Sequence, residues 1–227
     1  MGHSGGTFLG IHAAVRMPEL FHAYIGVAQM SYQLASEKLA YEFMLRRFRE
    51  LGDSSMVQRL EEAPVTLDHD VPQGYRALRD GAMHTLGVGT MHDMTSVVSG
   101  IFWPSLLFPE YTFDEKVRMW SGKSRSGISV LGDALVRTDL AQEVTTLRIP
   151  VYLFHGVHDQ TCSYSLARSY FDVLTAPMKG FYTFERSAHS PMFEEPERME
   201  AIIMHDVLTG MTTLADPPGP TAAETRH

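Results

Sequence analysis

The chain begins MGHSGGTFLG (residues 1–10), and the pentapeptide Gly2-His3-Ser4-Gly5-Gly6 within it decides which fold the sequence predicts. Gly-x-Ser-x-Gly between a strand and a helix is typical of a nucleophile elbow, a tight strained turn that exposes the serine hydroxyl. Such a turn needs small residues two positions before and two positions after the serine. The motif is short, so a plain glycine-rich turn ahead of a helix stays open as an alternative.

The residues after the motif predict a helix and then a buried strand. Phe8, Ile11 and Val15 recur at spacings of three and four, as on one face of a helix. Pro18 ends this pattern, because the residue before a proline is pushed out of helical geometry. FHAYIGVAQ (21–29) is rich in β-branched and aromatic residues and predicts a strand. We therefore assign residues 1–29 to the core of the domain.

The middle of the chain has a different character from the core. ASEKLAYEFMLRRFRELGD (35–53) has the apolar spacing of an amphipathic helix, and the residues that follow mix Gly, His, Met and aromatic side chains. We interpret residues 30–125 as a helical cap inserted into the core. The Met and aromatic side chains of this segment line a pocket or attach the cap to the core, and the sequence favours attachment.

Core patterns return over residues 126–213. RIPVYLFHG (148–156) is a near-continuous apolar run, typical of a parallel strand buried on both faces, and GFYTFE (180–185) predicts another strand. Strands that alternate with helices predict an α/β fold with a mostly parallel sheet flanked by helices. The proline-rich end predicts a disordered tail over residues 214–227.

Composition excludes several classes of function. A net charge of −8 argues against a broad nucleic-acid surface, which needs clustered Lys and Arg. The single cysteine, Cys162, rules out an intrachain disulfide. The longest apolar run, SVVSGIFWPSLLF (96–108), is too short for a membrane span. No signal peptide is visible, and we expect a cytoplasmic protein. We also expect no cofactor, no nucleic-acid partner and no membrane association.

The partners of an elbow serine are a histidine base and an acid, in the chain order serine, acid, histidine. Asp159 follows the strand at 148–156, at the sheet edge where α/β proteins assemble their sites, and His189 lies in the loop after the next strand. A turn-capping aspartate and an ordinary loop histidine are the alternatives. The backbone N–H of Gly5 and the dipole of the following helix would stabilise an oxyanion.

Four stretches together resemble the α/β-hydrolase fold superfamily, and within it the proline iminopeptidase-like serine hydrolases: GHSGG (2–6), ELFHAYIGVAQ (19–29), IPVYLFHGVHD (149–159) and APMKGFYTFERSAHSPMFEEPERM (176–199). The resemblance implies Ser4 as nucleophile, Asp159 as orienting acid and His189 as general base. It implies a serine hydrolase that cleaves an ester or amide bond of a small molecule or short peptide through an acyl-enzyme. Gly5 follows the serine where many proline iminopeptidases have tryptophan.

The elbow serine of this fold normally follows a central strand that is preceded by further strands and helices. We therefore expect the N-terminal strands of the fold to be missing, with Met1 internal to a longer coding sequence, or the chain to be a half-domain that pairs with another chain. We also expect residues 1–3 to be too few to pair in a sheet, and the chain alone to fold poorly. A non-catalytic remnant or interaction module without a complete oxyanion hole is the alternative function.

Two further sets of polar residues were candidates for binding. Glu37 could bind a substrate amine, and a solvated helix face is its alternative. His155, His158, Asp159 and Cys162 are superficially similar to a metal set, but a zinc site needs a defined set of converging ligands, so no metal is predicted. The sequence does not determine the oligomeric state.

Overall fold

The computed structural model describes residues 1–126 and 130–217, and its sheet is parallel throughout, in the order β1-β2-β3-β4. The strands are β1 (Gly2–His3), β2 (Tyr24–Val27), β3 (Val151–Gly156) and β4 (Lys179–Phe184). The strands predicted within 21–29, 148–156 and 180–185 are confirmed, although β2 is shorter than its apolar run. The α/β class with a parallel sheet is confirmed as well.

The expectation that residues 1–3 are too few to pair in a sheet was wrong. Gly2 lies opposite Gly26 and His3 opposite Val27 in a parallel ladder. The backbone N–H of Ser4 then donates to the carbonyl of Val27 at 3.0 Å. Two residues suffice because this bond continues the ladder into the elbow turn.

The first helix, α1 (Gly5–Arg16), begins directly after Ser4 and packs against the sheet. Phe8, Ile11 and Ala14 are buried in the cluster that also contains Val151 and Leu153 of β3. Val15, predicted on this face, is 43% exposed, and Ala14 takes the inner position instead. The inner face therefore follows spacing i, i+3, i+6 rather than i, i+3, i+7.

The regular elements described between β2 and β3 are helices joined by turns and loops, with isolated β-bridges at Tyr32 and Thr146. The helices are α2 (Gln33–Glu50), α3 (Ser54–Glu61), α4 (Gln73–Thr85), a π-helical turn (Val98–Phe102), α5 (Trp103–Leu107), α6 (Phe113–Ser126), α7 (Val130–Arg137) and α8 (Leu140–Glu143). The sequence also predicts a helix at 128–136, and part of that range lies outside the described residues. Helices α2, α3 and α4 enclose a core of their own, which includes Met44, Phe48, Leu60 and Tyr75.

The two faces of the sheet carry different apolar clusters, because successive strand residues point to opposite sides. On one face, Leu153 and Phe181 pack with α1, α8 and α9 (Tyr164–Val173). On the other, Phe154 and Tyr182 pack with α11 (Pro196–Ile202) and the π-helical turn after it (Ile203–Val207). Helix α10 (Pro191–Glu194) lies between β4 and α11. The sheet is thus a central layer between two helical layers.

The disordered tail was predicted to begin at residue 214, and this boundary is too early in the chain. Asp216 accepts hydrogen bonds from the backbone N–H and the hydroxyl of Thr183 in β4, and its own N–H donates to the carbonyl of Phe181 at 2.8 Å. Residues 214–217 are therefore part of the packed structure. The rest of the predicted tail, 218–227, lies outside the described residues.

In the described residues, none of the helices combines the length and apolar character that crossing a membrane requires.

Candidate active site

Ser4 occupies a sharp turn between β1 and α1 in an unusual backbone conformation. Its φ is 54° and its ψ is −125°, a left-handed region that non-glycine residues rarely adopt. A Cβ at Gly2 would lie 2.4 Å from the carbonyl oxygen of Gly6, so only glycine fits there. A Cβ at Gly6 would meet nothing within 4 Å outside its own helix. The requirement for a small residue is therefore confirmed before the serine but not after it.

Gly5 is the first residue of α1. The first N–H groups of a helix have no partner within the helix, and they carry its partial positive charge. The N–H of Gly5 is thus available beside Ser4, where the sequence predicts an oxyanion donor.

Asp159 lies in the turn that follows β3 and is fully buried. Its Oδ1 accepts hydrogen bonds from the backbone N–H groups of Thr161 at 2.8 Å and Cys162 at 2.9 Å. Its Oδ2 lies 2.9 Å from Nδ1 of His189. Oδ1 therefore makes the bonds expected of a turn-capping aspartate, whereas Oδ2 contacts the predicted base, as expected of an orienting acid.

The Asp159 carboxylate remains ionised despite its burial. Burial alone would raise the pKa of Asp159, but the neighbouring His189, its hydrogen bond and the nearby His155 outweigh this effect. The pKa is therefore held well below its usual range. A charged acid beside a histidine favours the protonated form of the imidazole during a reaction.

The histidine loop between β4 and α10 is held by two adjacent carboxylates. Glu194 accepts from the N–H of Ala188 at 3.0 Å, and Glu195 accepts from the hydroxyl of Ser187 at 2.7 Å. A Cβ at Gly156 would lie 2.0 Å from the carbonyl oxygen of Ala188, so the loop crosses β3 directly over its last residue. Sequence reasoning missed this support, although paired carboxylates shortly after a loop histidine were a visible signal.

His3 connects the elbow to the histidine loop. Its Nε2 lies 2.8 Å from the carbonyl oxygen of His189, and the centroids of the two rings are 4.8 Å apart. Burial, and then the neighbouring His189, lower the pKa of His3. The sequence contained no signal for this contact, because it joins residues at opposite ends of the chain.

The buried thiol of Cys162 lies at the centre of the predicted triad. Its sulfur, an oxygen of Asp159 and a ring nitrogen of His189 all lie within 4.8 Å of one another. Burial raises the pKa of this thiol, and a contact with Ser4 partly opposes that rise. The structure therefore brings Asp159 and His189 together beside Cys162, at the carboxyl edge of the sheet where the turn at Ser4 begins.

The same atoms raise the question of a metal. Thiolate is the form of cysteine that binds metals, and burial, with the charge of Asp159 next, raises the pKa of Cys162 well above its usual value. The Nδ1 of His189 is already hydrogen-bonded to Asp159. This donor set suits an acid–base pair better than a cation.

Glu37 is not on a solvated helix face, and it lines a surface pocket together with Arg76 and Arg79. It is buried in α2, and its Oε2 lies 2.6 Å from Nε of Arg79 and 3.1 Å from the hydroxyl of Tyr75. Gln33 donates to its Oε1 at 2.8 Å. Burial alone would lower the pKa of Arg79, but Glu37 holds it above its ordinary value. Binding of a substrate amine by Glu37 stays a prediction, and its charge is already compensated.

The parallel sheet, the turn at Ser4 and the likeness to solved structures show that the chain has the α/β-hydrolase fold, and the predicted resemblance to that superfamily is confirmed. The crystal structure of VinJ matches 93% of this chain and 65% of its own, with a TM-score of 0.53 and 19% identity. Proline iminopeptidase of Mycobacterium smegmatis matches 92% of this chain and 65% of its own, with a TM-score of 0.49 and 16% identity.

The chain is also similar in sequence to a curated protein. The probable aminopeptidase YbaC of Bacillus subtilis (strain 168) is 28% identical over 201 residues, which are 86% of this chain and 60% of the relative. This chain therefore spans about 60% of the length of that relative. No family model matches the chain.

Proposed function

We propose that the chain carries the catalytic triad of a serine hydrolase that cleaves an ester or amide bond through an acyl-enzyme. The observation that supports this most is the bond of 2.9 Å between Nδ1 of His189 and Oδ2 of the buried Asp159, at the edge where Ser4 adopts a left-handed turn. Chain order, backbone conformation and burial all agree with this assignment.

The roles follow from which atoms are already engaged. Because Nδ1 of His189 donates to Asp159, the neutral ring has its free lone pair on Nε2, and this nitrogen takes the proton of Ser4. The serine oxygen then attacks the carbonyl carbon, and the N–H of Gly5 with the positive end of α1 stabilises the oxyanion. His189 returns the proton to the leaving group, and water repeats the sequence to release the acid.

The substrate class is proposed from chemistry and from the relative. An acyl-enzyme serves esters and amides alike, and the name of the Bacillus subtilis relative supports an amide with a free N-terminal amine. A set of aryl esters and aminoacyl arylamides would separate the two preferences. The substrate is a small molecule or a short peptide.

A non-catalytic interaction module is the second candidate. An oxyanion hole normally has two donors, and losing one costs about 10²- to 10³-fold in kcat. Gly5 is the donor proposed among the described residues. The interaction module would retain the Asp159–His189 pair and lack an activated serine.

Covalent labelling tests which of the two holds. A fluorophosphonate should modify Ser4, and trypsin should release the adduct on the peptide of residues 1–16, in which Ser4 is the only serine. Ser4→Ala should remove the adduct, whereas Ser55→Ala, at an exposed serine, should leave it unchanged. An unlabelled chain with a cooperative unfolding transition would favour the interaction module.

A further inference from the structure

A second histidine, His155, contacts the acid of the proposed triad. It is the fifth residue of β3 and is fully buried. Its ring lies parallel to Phe181, with centroids 6.3 Å apart and planes 8° apart, and the ring of Tyr164 meets it edge-on. Aromatic packing of this kind fixes the plane of the imidazole and therefore the direction of its N–H.

The hydrogen-bond partners of His155 assign its proton. Its Nε2 lies 2.8 Å from the carbonyl oxygen of Cys162 and 3.3 Å from Oδ2 of Asp159. Both are acceptors, so Nε2 carries the hydrogen. Its Nδ1 is buried and has no partner in the part of the chain that the structure describes. The shorter of the two Nε2 contacts is the hydrogen bond, so the Nε2–H donates to the carbonyl of Cys162 and lies beside Oδ2 of Asp159.

We propose that His155 is a positioning residue for the triad, and that its Nε2–H, by holding the carbonyl of Cys162, fixes the turn whose N–H groups orient the carboxylate of Asp159 toward His189. The role rests on the proposed function, since it acts through the acid of that site. His155 would touch neither substrate nor the reacting atoms.

The other bonds of Asp159 explain why such a residue is needed. The N–H groups of Thr161 and Cys162 hold Oδ1, but they leave the carboxylate free to tilt about that anchor. The bond from His155 to the carbonyl of Cys162 fixes one of these two residues, and the Nε2 of His155 lies 3.3 Å from Oδ2, on the side where His189 binds. Without the His155 donor, Cys162 would lose one of its anchors, and the position of Oδ2 would depend mainly on His189.

The charged and titratable groups at this point define the expected effect. Asp159 faces His155, His189 and Cys162, and His189 also faces His3. His155 contacts Asp159 through the turn at Cys162 and does not take part in proton transfer. Loss of its donor should therefore disturb the geometry of the Asp159–His189 bond. A misplacement of about 1 Å at such a group can cost about 10²-fold in rate.

Two polar variants separate the donor from packing. In His155→Gln the amide nitrogen reaches roughly the position of Nε2, whereas in His155→Asn it falls short. We expect His155→Asn to lower kcat for an aryl ester by up to about 10²-fold with little change in KM, and His155→Gln to recover most of the loss. Equal losses in both variants, or a loss in KM alone, would overturn the positioning role.

A spectroscopic measurement keeps this test independent of turnover. The Nδ1 proton of His189 should give a far-downfield proton resonance in the wild type and in His155→Gln, and it should move upfield or be lost by exchange in His155→Asn. An unchanged resonance in folded His155→Asn would contradict the proposal, even if the chain hydrolyses esters. A changed resonance in a chain that hydrolyses nothing would uphold the positioning and reject the proposed function. If His155→Asn does not fold, His155→Phe keeps the ring against Phe181 and replaces it as the variant without a donor.

Discussion

His158 stacks on His92, with ring centroids 3.9 Å apart and planes 14° apart. His158 follows β3 and immediately precedes Asp159, whereas His92 belongs to the segment after α4. The backbone N–H of His92 also donates to Glu194, which supports the histidine loop. The helical segment between β2 and β3 is therefore attached to both loops of the candidate site.

This stack makes stability depend on pH. Burial, and then the neighbouring His92, lower the pKa of His158 below its usual value of 6.5. The unfolded chain therefore binds the proton more tightly, so the contribution to stability is present above about pH 6.5 and is lost as the pH falls through the lower, folded value. We expect the melting temperature to fall on acidification from about pH 7, and less so in His158→Gln. His22→Gln, at an exposed site, is the control, and an identical pH dependence in both variants would contradict this account.

The elbow predicts an asymmetric response to alanine. Gly2→Ala should weaken or abolish fluorophosphonate labelling and lower the melting temperature, because its Cβ would lie 2.4 Å from the Gly6 carbonyl oxygen. Gly6→Ala should retain both, because its Cβ has open space and alanine favours helices. Labelling kinetics and thermal unfolding measure the two effects. Similar losses in both variants would show that the turn is as crowded at residue 6 as it is at residue 2.

The pair Glu37–Arg79 should contribute to the helical core rather than to substrate choice. Glu37→Gln leaves the Arg79 guanidinium with only the exposed Asp80 as an acidic partner, and breaking a buried pair of this kind costs up to about 3 to 5 kcal/mol in the free energy of unfolding. The double variant Glu37→Gln with Arg79→Met should recover part of the loss. A selective rise in KM for aminoacyl arylamides over aryl esters in Glu37→Gln, without a loss of stability, would instead support the predicted amine site.

Asp159→Asn should reduce turnover far more than stability. The asparagine amide would present a donor to His189 and favour the tautomer with its proton on Nε2, which is unable to accept the serine proton. A loss of about 10⁴-fold in kcat is the magnitude measured for such a change in another triad. Asp133→Asn, at an exposed position, is the matched control. Near-normal turnover in folded Asp159→Asn would remove this residue from the site.

Patterns within short stretches predicted much of this molecule. The apolar run before Gly156 predicts a buried strand, and the glycines around Ser4 predict a tight turn. Both predictions depend only on residues close in sequence, because strand patterning and turn sterics are local. Asp159 and His189 could be selected because carboxyl ends of parallel strands meet at one edge, so their position after β3 and β4 was enough.

Only the tertiary structure decided the contacts that join distant residues. His3 meets His189 across 186 positions of sequence, and Glu37 meets Arg79 across 42. Asp216 lies in a proline-rich stretch, yet it belongs to the packed structure because it hydrogen-bonds to Thr183 of β4. The packing of helices and strands determines these partners. The residues next to a side chain in sequence do not indicate which distant group will form an ion pair or a hydrogen bond with it. The sequence by itself therefore determined strands β2, β3 and β4, the elbow and the candidate triad, while the pairing of β1 and the contacts that hold each part in place were decided by packing.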